Sequence, residues 1–232
     1  TYVGTDDSGA TDLDPTADGA NTMKIVAEQE YDGGSDGGSR LITTVWQYVD
    51  GDDRDANTRR TDYRYDWRDR RTHELPDGPR NYATYTCFHH DDRDRVVQVD
   101  RLYDHNGDLA AQWAEGTSSG DRLIARETTD YDARSRVWRT TTHAVDPDTG
   151  TVGDGLVGLS WCDAAGNPFK QVAPGARAFT KTGYDGLGRA AAVYMGYDLN
   201  ETTADLYDEG GGARLHLDGS TIVEQSESLV DG

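Results

Sequence analysis

The stretch Tyr184-Asp185-Gly186-Leu187-Gly188-Arg189 decides the fold of this chain, because variants of it recur along most of the sequence. The other copies begin at Tyr31, Tyr65, His90, Tyr103, Tyr131 and Cys162, and the copy at Tyr31 is stretched by four residues. Self-similarity at a spacing of a few tens of residues is the signature of a repeat architecture. The pattern predicts a chain built as a series of like units and not around one catalytic pocket.

Each copy has the composition of a β-hairpin turn. Strand-favouring residues flank it, as in 122–129 before Tyr131 and 137–145 after it. The aspartate can accept hydrogen bonds from backbone N–H groups two residues on. The fifth position holds glycine or a small polar residue, which can take positive φ. We expect Asp66, Asp132 and Asp185 at turns with their carboxylates accepting backbone N–H groups, and Gly188 with positive φ.

The tyrosine and arginine of each copy are predicted to join neighbouring hairpins. A lone hairpin is at best marginally stable in water, so each unit must bury its apolar face on its neighbours. The tyrosines at 65, 131 and 184 should lie on one face of a continuous sheet and supply most of that buried area. The arginines should stack on, or hydrogen-bond across to, the adjacent hairpin; they are Arg70, Arg136 and Arg189.

The repeated phrase resembles the YD repeat of the rearrangement-hotspot (RHS) family, whose pattern is Tyr-Asp-x-x-Gly-Arg followed by an apolar residue. The resemblance covers roughly residues 31 to 200, and Tyr184 to Arg189 is the best match. It implies an all-β fold in which antiparallel hairpins form a long spiralling sheet that can close into a shell. It also implies a structural segment of a large secreted or cell-surface protein, whose wall encloses or presents a C-terminal toxin.

The composition is acidic, with 34 Asp and 9 Glu against 20 Arg and 3 Lys, and a formal net charge of −20. This charge argues against nucleic acid as a partner, because phosphate repulsion would have to be overcome. It also disfavours anionic membrane surfaces. No sustained helical periodicity is present, and only 34% of the residues are hydrophobic. These features fit a repeat sheet with a thin core.

We expect residues 1–232 to form one continuous repeat region that is a fragment of a longer chain. Acidic loops are predicted at about 5–22 and 198–219, a charged connection at 50–62 and a long hairpin loop at 146–155. The two ends also resemble each other. Tyr2-Val3-Gly4 matches Tyr194-Met195-Gly196, and Val26-Ala27-Glu28-Gln29 matches Ile222-Val223-Glu224-Gln225. This spacing predicts a larger repeat of about 190 residues.

Candidate metal and disulfide sites have alternative interpretations. An acidic loop could hold Ca²⁺ through the oxygens of Asp6, Asp7, Asp12, Asp14 and Asp18, but the EF-hand pattern is absent and a solvated loop is the simpler interpretation. His89 and His90 are adjacent in a predicted strand and point to opposite faces, so they cannot share an ion. Cys87 and Cys162 could pair or remain buried thiols.

No motif identifies an enzyme, and no catalytic or cofactor-binding residue is predicted. The sequence contains no G-x-S-x-G, P-loop or H-E-x-x-H pattern. Two functions remain open, a wall segment of a shell or fibre and a surface that binds carbohydrate or another cell. The second would use exposed aromatic rings as stacking platforms, although such rings more often pack between hairpins. The candidate rings are Trp46, Trp67, Trp113, Trp138 and Trp161.

Overall fold

The computed structural model describes residues 1–3, 24–31, 41–48, 58–76, 83–105, 120–197 and 220–227. All regular elements in these ranges are β-strands. They are β1 Tyr2–Val3, β2 Lys24–Ile25, β3 Ala27–Tyr31, β4 Ile42–Tyr48, β5 Thr58–Tyr65, β6 Arg71–Leu75, β7 Thr84–His90, β8 Val96–Tyr103, β9 Arg122–Tyr131, β10 Val137–Val145, β11 Val152–Cys162, β12 Pro168–Val172, β13 Phe179–Tyr184, β14 Ala190–Tyr197 and β15 Thr221–Glu227. The predicted all-β class is confirmed.

The strands follow one another in space in the order of the sequence. Strands β3 to β15 form a 13-stranded sheet in consecutive order, and β1 and β2 form a separate antiparallel pair. The strand pairs with a described register are antiparallel, as expected for successive hairpins. Sequential pairing of this kind follows from short turns that return the chain beside the strand it has just left.

The chain divides into two compact units. The first contains residues 1–124 and 147–150, and the second contains 125–146 and 151–232. The core of the first unit is formed by Leu75, Ala83, Tyr85 and Cys87, with Leu102 packed against them. The core of the second includes Phe169 and Phe179, each less than 5% exposed. Both cores are small, which fits units that depend on neighbouring hairpins for stability.

Two predicted connections are shorter than expected. The charged connection predicted at 50–62 ends before Thr58, where β5 begins, and the hairpin loop predicted at 146–155 ends before Val152, where β11 begins. Both errors have one cause. The composition of these segments, with threonine, arginine and glycine, favours a loop, but pairing with β4 and β10 brings them into the sheet. The predicted loops at 5–22 and 198–219 lie outside the described residues.

Candidate functional site: the repeat turns

Five copies of the sequence phrase form turns with the same geometry, and these are called the repeat turns. They comprise residues 66–70, 91–95, 132–136, 163–167 and 185–189. Each joins an odd-numbered strand to the next even-numbered strand, from β5–β6 to β13–β14. Because consecutive strands are antiparallel, the repeat turns within one unit lie at the same end of its strands.

The backbone of every repeat turn is closed by two hydrogen bonds. In the turn at Asp185, the Asp185 N–H donates to the carbonyl oxygen of Arg189 at 2.9 Å, and the Gly188 N–H donates to the carbonyl oxygen of Asp185 at 3.0 Å. Gly188 has φ of 78°. The fifth position of the other four turns also has positive φ, at Asp69, Asp94, Ser135 and Gly166. This conformation explains why only glycine or a small polar residue occupies it.

The aspartate carboxylate holds each turn from inside. Asp132 Oδ1 accepts the N–H groups of Arg134 at 2.8 Å and Arg136 at 3.0 Å, and its Oδ2 accepts Nε of Arg136 at 2.6 Å. The same set of contacts occurs at Asp66 and Asp185. The structure therefore places all three aspartates at hairpin turns with their carboxylates on backbone N–H groups, which is the Asx-turn geometry.

These contacts stabilise the charged form of each carboxylate. The side-chain hydrogen bond from Arg95 lowers the pKa of Asp91 to about 2, with help from the backbone N–H groups of Arg95 and Arg93. Partial burial opposes the shift at Asp66, but the hydrogen bonds from Arg70 and Arg68 outweigh it and the pKa of Asp66 is lowered. The carboxylates are thus ionised at neutral pH and engaged within the turn.

Arginine side chains connect adjacent repeat turns in the first unit. Arg70 Nη1 donates to the carbonyl oxygen of Asp91 and to the carboxylate of Asp94, both at 3.0 Å. Arg68 Nη2 lies 3.0 Å from the same carboxylate, and Arg68 Nη1 reaches the carbonyl oxygen of Asp92 at 3.5 Å. The turn at 66–70 is therefore hydrogen-bonded to the turn at 91–95 through two arginines.

The second unit has an equivalent connection between its first two turns. Arg136 Nη1 donates to the carbonyl oxygen of Asp163, and Arg134 Nη1 donates to the carbonyl oxygen of Ala164. Hydrogen bonding across to the next hairpin is one of the two roles predicted for the repeat arginines. The stacking role falls to another residue: the guanidinium of Arg71, not that of Arg70, lies over the rings of Tyr63 and Phe88.

The fourth position of the phrase is variable in the repeat pattern, yet it also connects turns. It holds arginine at 68, 93 and 134, and Arg68 and Arg134 reach the neighbouring turn. In the turns at 163 and 185 the same position holds Ala165 and Leu187, with glycine following. The sequence does distinguish these copies, because arginine in the fourth position always accompanies aspartate or serine in the fifth.

The repeat tyrosines also contact neighbouring strands. The hydroxyl group of Tyr65 donates to the carbonyl oxygen of Ile42 in β4 at 2.8 Å, and that of Tyr184 donates to the carbonyl oxygen of Pro168 in β12 at 3.0 Å. Each of these two rings therefore ties its own hairpin to the chain beside it. The prediction that all three repeat tyrosines share one face of a continuous sheet stays a prediction.

The candidate tryptophans differ in environment. Trp67 is 88% exposed at the tip of a repeat turn, where the guanidinium of Arg68 lies 5.7 Å from its ring centre. Trp46 and Trp161 are partly buried, beneath Arg60 at 4.8 Å and Lys170 at 5.0 Å respectively. The rings of Trp46 and Trp161 thus take part in packing within the sheet, as cation–π partners. Trp138 is partly buried, and Trp113 lies outside the described residues.

Metal, disulfide and membrane features can be assessed only for the part of the chain that the structure describes. There, no cluster of three or more His, Cys, Asp or Glu side chains is arranged to hold a metal ion. The predicted Ca²⁺ ligands at 6–18 fall outside it. Cys87 and Cys162 are free thiols, and burial raises the pKa of Cys87 to about 12. None of the described segments is a helix long and apolar enough to cross a membrane.

The fold and the repeat turns define an all-β protein of serial antiparallel hairpins. No protein-family model and no curated protein sequence matches the chain. Solved structures that resemble it include a Photorhabdus luminescens Tc holotoxin pore, with 13% identity over 83% of this chain and 11% of that chain and a TM-score of 0.34. A TcdB2-TccC3 structure covers 90% of this chain and 12% of that one, at 10% identity and a TM-score of 0.36. A TcdB2-TccC3-Cdc42 structure matches 75% of this chain and 12% of that chain, with 10% identity and a TM-score of 0.30. The chain spans 11–12% of the length of these three.

Proposed function

We propose that this chain is a non-catalytic structural segment of a larger secreted or cell-surface YD-repeat protein, in which the hairpins form the wall of a shell or fibre. The observation that carries the proposal is the use of the repeat arginines. Arg70 and Arg136 each donate both to the aspartate of their own turn and to the next turn. The guanidinium groups of Arg70 and Arg136 thus donate to acceptors within the fold. In a binding site, such groups would point towards a ligand.

The partner of such a wall follows from the family that the repeats resemble. That resemblance implies a toxic C-terminal segment that the wall encloses or presents. The proposal is tested on the full-length gene product by limited proteolysis. We expect the enclosed segment to resist protease while the hairpins are folded and to be cut once they unfold. Cleavage of that segment at the same rate in both states contradicts enclosure.

A carbohydrate-binding or cell-adhesion surface is the second candidate, and two observations favour it. Trp67 exposes most of its ring at the tip of a turn. The second unit also contains a groove of about 500 Å³ between Trp138, Ser160, Gln171, Thr180 and the loop at 173–178. An aromatic ring beside neutral hydroxyl and amide groups is suited to stacking on, and hydrogen-bonding to, an uncharged sugar.

A glycan array separates the two candidates. The wall proposal predicts no specific glycan signal from the wild-type chain. Two variants probe the two surfaces, Trp67→Ala at the exposed turn tip and Trp138→Ala in the groove. Suppose that the wild-type chain gives a saturable glycan signal and that either variant removes it without a change in melting temperature. This result would contradict the wall function and support a recognition surface.

A further inference from the structure

The repeat turns do not all connect to the next turn in the same way. In the two connected pairs described above, arginines in the fourth and sixth positions of the phrase donate to carbonyl oxygens of the following turn. The turn at 163–167 holds Ala165 and Asn167 in these two positions. The pair formed by this turn and the turn at 185–189 therefore lacks both of the guanidinium groups that join the other two pairs.

Asn167 completes its own turn but makes no described hydrogen bond to the next one. Its backbone N–H and its Nδ2 donate to the carboxylate of Asp163 at 2.8 and 2.9 Å, as the N–H and Nε of arginine do in the other turns. The two turns are neighbours, because Asn167 Oδ1 lies 3.8 Å from the position that a Cβ on Gly188 would take. Asparagine has no atom equivalent to the Nη1 with which arginine reaches across.

The acceptors for such a group are nevertheless in place in the following turn. In the connected pairs they are the carbonyl oxygens of the second and third residues of the phrase. Here these residues are Asp185 and Gly186. The Asp185 oxygen accepts the Gly188 N–H within its own turn at 3.0 Å. A carbonyl oxygen has two lone pairs, and the Asp163 oxygen accepts both the N–H of its own turn and Arg136.

A cavity of about 490 Å³ lies between the turn at 163–167 and the end of β13. Its lining includes Ala165, in the position where the preceding turn carries Arg134, and the buried residue Phe169. Asp163 also lines the cavity, and the described donors to its carboxylate are uncharged amide groups. A guanidinium group suits these surroundings, because its edge donates several hydrogen bonds while its weakly hydrated faces pack on aromatic rings.

We propose that this cavity binds a guanidinium group, presented by an arginine side chain of another polypeptide segment or by free arginine. The bound group donates to the carbonyl oxygens of Asp185 and Gly186, as arginines of the chain do in the connected pairs, and Asp163 supplies negative charge. The formal net charge of −20 favours the approach of a cationic ligand. The inference goes beyond the proposed wall function and does not depend on it.

The test titrates the intact chain with N-acetyl-arginine methylamide and with free arginine, and follows the backbone amide signals by NMR. We expect saturable shifts at Asp185, Gly186 and Leu187 and none at Asp92, whose carbonyl oxygen already accepts Arg68. The matching citrulline amide has nearly the same shape without the charge, and it should give less than roughly a tenth of the shift at equal concentration. Binding of the capped form assigns the site to an arginine within a polypeptide, and binding of free arginine alone assigns it to the amino acid; both support guanidinium recognition.

Two variants fill the site from within the chain. Asn167→Arg restores the arginine of the sixth position, and Ala165→Arg restores that of the fourth. Each should weaken the binding of N-acetyl-arginine methylamide by about tenfold or more. Asn167→Arg should also raise the melting temperature by roughly 2–4 °C, because it adds a charge-assisted hydrogen bond between the turns. Asn167→Lys is the matched control and should raise it by less than half as much, since lysine lacks the planar fork.

Three results overturn the inference. The first is the absence of saturable shifts at Asp185 and Gly186 with both arginine ligands. The second is an equal response to the citrulline amide, because charge would then play no part in recognition. The third is wild-type affinity for N-acetyl-arginine methylamide in both Asn167→Arg and Ala165→Arg, since the ligand would then bind elsewhere. The wall function is tested by other measurements, so it can stand or fall separately.

Discussion

Arg136 Nη1 donates a hydrogen bond to the carbonyl oxygen of Asp163, and this contact joins two successive repeat turns of the second unit. The geometry follows from the sheet. Neighbouring repeat turns at the same end of the strands are two strands apart. The distance is about 10 Å, since strands lie 4.7–4.9 Å from each other. An arginine anchored on the aspartate of its own turn has the length to bridge that gap. The same contact joins Arg70 to Asp91 in the first unit.

Removing the bridging arginine should destabilise the chain. We expect Arg136→Ala to lower the free energy of unfolding by about 1–3 kcal/mol, because Asp132 loses its charged donor and the Asp163 carbonyl loses its partner. Arg136→Lys should recover little of it, since lysine lacks the planar fork that serves two acceptors. Urea unfolding measures both. Arg177→Ala, on the exposed loop at 173–178, is the matched control and should stay within about 0.5 kcal/mol of wild type.

Gly188→Ala should destabilise through backbone conformation alone. Gly188 has φ of 78°, and a Cβ there would have no closer neighbour than the Asn167 side chain at 3.8 Å. The expected cost is about 1–2 kcal/mol, the penalty for a side chain in the left-handed region. Gly186→Ala, two residues away in the same turn and with open space around it, is the control. Equal melting temperatures for the two variants would contradict the assigned turn geometry.

Acid should destabilise the chain in two steps, and the first step comes from His73. Burial, with Arg64 and His89 nearby, lowers the pKa of His73 to about 4 from its ordinary 6.5. Between these values the unfolded chain binds a proton that the folded chain does not. The contribution of His73 to stability is therefore complete above pH 6.5 and is lost as pH falls towards 4. His73→Asn should flatten this part of the curve of unfolding free energy against pH.

The second acid step comes from the repeat turns. The pKa of Asp91 is about 2 in the fold against an ordinary value of 3.8, so its contribution is present above about pH 4 and is lost as pH falls through 2. Asp91→Asn should lower stability at pH 7 and remove part of the pH dependence below pH 4. The measurement is urea unfolding at pH 7, 5.5, 4 and 2.5. A curve for Asp91→Asn parallel to wild type below pH 4 would rule out this carboxylate as the source.

Local chemistry made the turns predictable from the sequence. Aspartate that caps its own turn and a fifth residue that tolerates positive φ are properties of a six-residue phrase, so Asp185 and Gly188 could be placed without tertiary information. The strands around Tyr131 could be placed for the same reason. The starts of β5 at Thr58 and of β11 at Val152 could not be predicted in this way. Pairing with a neighbouring strand decides whether threonine, arginine and glycine join the sheet.

Contacts between turns were harder to predict from the sequence. The choice between stacking and hydrogen bonding for Arg70 depends on the spacing of strands that are distant in sequence, and Arg71 takes the stacking role instead. The bridging role of Arg134 was also missed, although its position in the phrase was visible. Long side chains reach partners that a repeat pattern does not name, so their roles emerge only when the neighbouring turn is in place.

We expect the repeat aromatics and arginines to hold hairpins together and not to recognise a ligand. The variant Tyr131→Ala tests this when thermal unfolding and a glycan array are run on the same sample. We expect a lower melting temperature, since roughly 150–250 Å² of ring area per tyrosine is available for packing between hairpins, and an array result identical to wild type. Unchanged thermal stability together with loss of a glycan or partner signal would show that these aromatics form a recognition surface, and the structural account would be wrong.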